Sequence, residues 1–212
     1  MIIIPEKEMK SVSEHKKLKL SFNSPVILSF TIICFLAMLL NIVTGGVTNH
    51  IFFSVYRSSL LSPLTWLRFF GHVLGHAGWE HFFGNITLIL VVGPLLEEKY
   101  GSANLLFVIL ATGLATGVVH FIFFPGVGLL GASGVVFALI LLSSFTCVEE
   151  GAIPITFVLV AVIYMGQQVY QGIFIKDNVS NLTHILGGVV GAALGYVMNK
   201  NKMTNYSKSR KR

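Results

Sequence analysis

Four side chains of the kinds that acyl chemistry uses each stand where an apolar stretch begins. Ser133 lies in Gly131-Ala132-Ser133-Gly134, His184 precedes a glycine-rich run, and His81 and Asn85 stand four residues apart at the head of another run. A serine hydroxyl is a weak nucleophile until a neighbouring base takes its proton, and imidazole titrates in the range where it can do so. Hydrolysis of an amide also needs donors aimed at the developing oxyanion. The Ser133 backbone N–H, at the start of a helix, is not used by the helical ladder, and the His81 and Asn85 side chains can supply further donors. Gly131 and Gly134 allow a sharp loop-to-helix turn and close approach of a substrate backbone. No acidic residue lies near His184 at the head of its run, so the spacing points to a Ser–His dyad rather than a triad.

The elements that must position these groups are membrane spans. Of 212 residues, 54% are hydrophobic and 11% charged, against about 25% charged in an ordinary soluble domain. Charge is absent between Lys19 and Arg57, between Tyr100 and Val148, and between Asn178 and Asn199. A soluble fold needs charge on every surface segment, so these gaps call for a bilayer as solvent. Apolar runs predict six helical spans, near 25–43, 81–97, 103–123, 131–148, 152–171 and 180–199. The expected architecture is an all-α polytopic membrane protein: a cytoplasmic tail over 1–24, a six-span unit over 25–199 and a basic cytoplasmic tail over 200–212. The segment 44–80, with Arg57, Pro63, Trp66 and Arg68, is too polar to span and too apolar for a solvated loop, so it is expected to lie at the membrane interface. The start, Met1-Ile-Ile-Ile-Pro5, does not read as a cleaved signal peptide.

Lys and Arg counts set the orientation. Twelve of the basic residues fall on the side of the two tails and Lys99, against Arg57, Arg68 and Lys176 on the other. Both tails are therefore expected in the cytoplasm, and spans two, four and six run inward from the outer face. His81 with Asn85, Ser133, and His184 then begin those three spans at similar depth. Along span six, Gly188, Gly191 and Gly195 form a stripe with His184, and small residues at such spacing let membrane helices approach closely. Span four offers Gly131, Ala132, Gly134 and Ala138 as the matching surface, which would bring Ser133 within reach of His184.

At these residues the chain resembles the rhomboid family. The carriers are His76-Ala-Gly-Trp-Glu-His81-Phe-Phe-Gly-Asn85, Gly131-Ala-Ser133-Gly134 and His184-Ile-Leu-Gly187-Gly188, in order on alternate spans. The resemblance extends over about 25–199 and implies a six-helix rhomboid-like bundle with a long first outer loop. It implies an intramembrane serine endopeptidase with Ser133 as nucleophile, His184 as base, and His81, Asn85 and the Ser133 N–H around the oxyanion. His76 and Arg68 match residues that support the first loop, and Glu97 an acidic position that holds loop structure. Phe137 stands where many relatives have tyrosine; its ring can still pack beneath His184, without a hydroxyl contact. The substrates implied are single-span membrane proteins cut near the outer face, with no cofactor and no metal.

The same residues admit plainer accounts. Ser133 serves helix packing in the plainest one, and His184 is a buried histidine bonded to a carbonyl. His81 and Asn85 then become polar groups at a helix start, and His120 an interfacial residue without a partner. Among functions, the alternative is an inactive rhomboid-like protein that binds transmembrane helices. A metal site on His72, His76 and His81 lacks the His-Glu-x-x-His spacing and a carboxylate to complete it. A carrier would show inverted repeats and acidic groups at mid-membrane, which do not appear. The net charge of +6 sits mostly at the chain ends and points to lipid rather than nucleic acid. Cys34 and Cys147 form no metal motif and suggest no disulfide.

Overall fold

The computed structural model describes residues 22–145 and 178–209, with the side chains of 181–199 in the second stretch, and isolated helical positions between 155 and 170. The expected fifth span, both chain ends and most of the basic residues used for orientation lie outside the described residues. Within them the fold is helical, and the one β-type pairing is an isolated bridge between Val55 and Leu129. In chain order the helices are α1 (Pro25–Val43), α2 (Val47–Phe52), α3 (Pro63–Gly71), α4 (Trp79–Tyr100), α5 (Ser102–Phe123), α6 (Ser133–Ser144) and α7 (Asn178–Ser209), with a 3-10 turn over His72–Leu74.

Among the described residues four helical stretches are long and apolar enough to cross a bilayer: Pro25–Val43, Trp79–Tyr100, Ser102–Phe123 and Asn181–Asn199. Their outward faces carry Leu36, Leu40, Val91, Leu95 and Phe107 in the open, a surface that lipid tolerates and water does not. Proline opens α1 and α3 at the first helical position, where its missing N–H costs nothing. Gly101, with φ +83°, turns the chain between α4 and α5. α7 runs unbroken from Asn178 to Ser209, so the change from apolar to basic sequence at 200 is no break in the helix.

The core sits where α1, α4, α5 and α6 meet, around Ile27, Cys34, Ile89, Leu105, Val135, Leu139 and Leu142. In α6 every residue from Gly134 to Leu142 is buried, the mark of a helix enclosed on all sides rather than an amphipathic one. Its neighbours come close because glycine permits it. A methyl on Gly93 of α4 would stand 2.5 Å from Ile27 Cδ1 of α1. A methyl on Gly187 or Gly191 of α7 would collide with the backbone of Gly134 or Ala138 in α6, and one on Gly195 with the Phe145 ring. The contact line is thus Gly187, Gly191 and Gly195, each four apart. Gly191 and Gly195 belong to the expected stripe, Gly187 adds to it, and the expected Gly188 is buried.

Candidate active site

Ser133 is the first residue of α6, preceded by Ala132 as N-cap, two residues later than the expected span start. Its N–H therefore falls among the donors that the helix leaves unused. The turn before it depends on Gly131, whose φ of +128° disfavours any side chain. A methyl there would also lie 2.5 Å from Cε1 and 2.7 Å from Nε2 of His81. The His81 ring thus rests on the backbone two residues before the serine. The Ala77 N–H donates to His81 Nδ1 over a long 3.5 Å, which leaves Nε2 as the protonated, donating nitrogen. Asn85, one turn along α4, is buried, and its amide nitrogen has no acceptor among the described residues.

His184 enters from α7. Its ring stacks on Phe137 of α6, with centroids 4.6 Å apart and planes 7° from parallel. Phe137 lies one turn below Ser133, and a methyl on Gly134 would touch Thr183, the residue before His184. The close α6–α7 contact therefore places the imidazole against the first turn of the helix that Ser133 opens.

Beside this arrangement lies an open cleft of about 570 Å³ lined by Ala77, Gly78, Glu80, His81, Gly84 and Asn85. Neither Ser133 nor His184 forms its wall; His81 links it to the serine turn.

The segment 44–80 braces the site. Arg68 is buried, donates from Nε to the Ile51 carbonyl at 2.8 Å, and sets its guanidinium 4.3 Å from the centre of the Tyr56 ring. Asn49 Nδ2 donates to the His76 carbonyl at 2.9 Å. The His76 ring meets those of His81 and Phe82 edge-on, at 5.2 and 5.4 Å. Burial, helped by the neighbouring His81, pushes the His76 imidazole down to about 4. Val55 and Leu129 exchange two backbone hydrogen bonds of 2.9 Å, tying this segment to the loop that leads into Ser133.

Three supports were missed or misread from sequence. His72 does not join His76 and His81 in a cluster: its Nε2 meets the Gly113 carbonyl at 3.0 Å and Thr116 Oγ1 at 3.3 Å, while its own carbonyl accepts the Gly131 N–H at 2.9 Å. Burial pushes its imidazole down to about 4, against the Gly113 bond that favours the charged form. His120 is not an unpartnered interfacial residue. It is buried, its Nε2 lies 2.8 Å from the Val127 carbonyl, and its ring stacks on Phe124. Glu97 ties the start of α1 to the turn after α4: its two oxygens accept the N–H groups of Val26 and Ile27 at 2.9 and 3.0 Å, and Ser102 Oγ, just past the Gly101 turn, donates to it at 2.7 Å. It caps α1, which has no side-chain cap from Ser24.

Residues 63–201, more than half of the chain, match the sequence model of the Rhomboid domain. The chain belongs to the rhomboid family. It is similar to "Rhomboid-related protein 2" of Mus musculus, 31% identical over 66% of this chain and 53% of that protein. It is also similar to "Rhomboid protease GluP" of Bacillus subtilis, 28% identical over 72% of this chain and 31% of that one. "Putative rhomboid protease YdcA" of the same organism matches at 26% over 66% and 71%. The aligned part spans about half or less of the first two relatives. The matched residues of this rhomboid chain take in α3 to α7, and with them the serine turn, the His184 helix and the cleft.

Proposed function

We propose that this rhomboid is an intramembrane serine endopeptidase that cuts transmembrane segments of membrane proteins near the outer face. The observation that carries the reading is the seam between α6 and α7, where His184 stacks on Phe137 and Gly187 meets Gly134 backbone to backbone. In the proposed cycle the Ser133 hydroxyl attacks the scissile carbonyl while His184 takes its proton. The oxyanion is met by the Ser133 N–H and the side chains of His81 and Asn85. His184 passes the proton to the leaving amine, and water, activated by the same histidine, then releases the acyl group and restores Ser133. Phe137 holds the imidazole by its face, and no metal or cofactor takes part.

The wider reading has six spans over 25–199 as one unit, both tails in the cytoplasm, and the cleft opening outward, where hydrolytic water enters. The substrates are single-span proteins whose helix can unwind near the outer end.

The test is cleavage of a single-span substrate with a weakened helix, in liposomes carrying the purified protein. Cleavage is expected to need Ser133 and His184 and to persist after thorough chelation. Cleavage that survives Ser133→Ala would contradict the reading. A folded protein that binds the substrate helix and never cuts it would point to a non-catalytic, helix-binding member of the family.

A further inference from the structure

We propose that the cleft beside His81 is a subsite for a basic substrate side chain, with the Glu80 carboxylate as its recognition group. The inference rests on the protease reading for what happens next door, but its own argument is the shape and charge of the cleft. Among the described lining residues Glu80 is the one with a carboxylate. It is exposed. Gly84, one turn further along α4, supplies the room: a methyl built there meets nothing within 4 Å. Residues four apart stand one above the other on a helix face. Glu80 and Gly84 therefore form a column immediately beside the column of His81 and Asn85.

That adjacency gives the cleft its role. His81 and Asn85 line it while Ser133 and His184 do not, so it adjoins the proposed oxyanion site without holding the nucleophile. It lies where a residue next to the scissile carbonyl would put its side chain. A lysine or arginine suits this lining: its methylene stem can lie along Ala77 and Gly84 while its cationic head meets the Glu80 carboxylate. An acidic side chain in the same place faces like charge, and a short apolar one brings Glu80 no opposite charge. Glu80 also stands in the first turn of α4, where a carboxylate complements the helix dipole. That role would be blind to the substrate, which separates the two accounts. Basic residues are scarce at the outer ends of membrane helices, so such a subsite narrows the substrates to the uncommon helices that carry one beside the cut.

The experiment uses fluorescent single-span peptides differing only in Arg, Gln or Glu at each of three positions on either side of the weakened segment. Binding is measured to the full-length Ser133→Ala protein in detergent, and cleavage is measured with the wild type. At one position the Arg peptide is expected to bind about tenfold more tightly than the Glu peptide, a difference of about 1.4 kcal/mol. The preference should vanish in Glu80→Gln, reverse in Glu80→Lys, and weaken in Gly84→Leu, with thermal unfolding confirming that each variant is folded. Binding that is flat across the series, or a preference retained in Glu80→Gln, overturns the subsite. Ser133-dependent cleavage with no charge preference removes the subsite and leaves the protease. A Glu80-dependent preference without any cleavage does the reverse.

Discussion

Phe137 carries the positioning of the proposed base at the scale of single residues. Its ring lies parallel to His184 at 4.6 Å, a contact worth about 0.5–1.5 kcal/mol beyond its buried area. Phe137→Tyr keeps the face and should retain activity; Phe137→Ala removes it and should lower kcat more than it raises KM. Asn85 makes a sharper case, because its amide nitrogen is buried without an acceptor among the described residues. Asn85→Ala is expected to reduce kcat by about 10²–10³ with the fold intact, measured on a transmembrane substrate; an unchanged kcat would remove Asn85 from the oxyanion site. The loop histidines set a pH dependence. His72 and His76 are pushed from 6.5 to about 4 by burial, so between those values the unfolded chain binds protons that the folded one refuses. Stability therefore rises with pH across that window and is lost as pH falls through it. Thermal unfolding in detergent should show a lower Tm at pH 5 than at pH 7, with a smaller drop in His76→Gln.

Helices meet in this protein at backbone distance, and the residues that allow it are the ones a sequence shows most readily. The glycine stripe on α7 was legible at Gly191 and Gly195, whereas Gly187, which meets the Gly134 backbone, emerges only from the packing. Gly191 lies against the Ala138 backbone, so Gly191→Leu should push α7 off α6 and abolish activity while leaving α1, α4 and α5 packed. Glu97 illustrates what sequence withholds. A carboxylate at the C-terminal end of α4 reads as a loop-holding acid, and only the fold reveals that the first turn of α1 comes to it, seventy residues away in sequence. Glu97→Gln weakens the three charge-assisted bonds from Val26, Ile27 and Ser102, each of a kind worth about 1.5–3 kcal/mol. It should lower thermal stability with little change in kcat of the folded enzyme. His120 and His72 escaped for the same reason, since their partners are carbonyls, which no residue type announces.

Over the whole molecule, charge segregation gave the membrane class and runs near 25–43, 81–97, 103–123 and 180–199, which overlap the four long apolar helical stretches, because the cost of burying charge in lipid leaves its record directly in composition. That Ser133 opens a helix and His184 lies near the head of another was also legible from the apolar runs. The order of packing was not: α6 proves to be enclosed on every side, which is a property of neighbours rather than of its own residues. That enclosure matters for the central claim, since a serine at the head of the most buried helix has few ways to move relative to the imidazole stacked one turn below it.

The most direct test of that claim is labelling of the purified protein by a fluorophosphonate probe, which reports an activated serine without any knowledge of the substrate. The wild type should label, while Ser133→Ala and His184→Ala, each verified as folded by thermal unfolding, should not. Equal labelling in His184→Ala, or none in a well-folded wild type, would contradict the dyad.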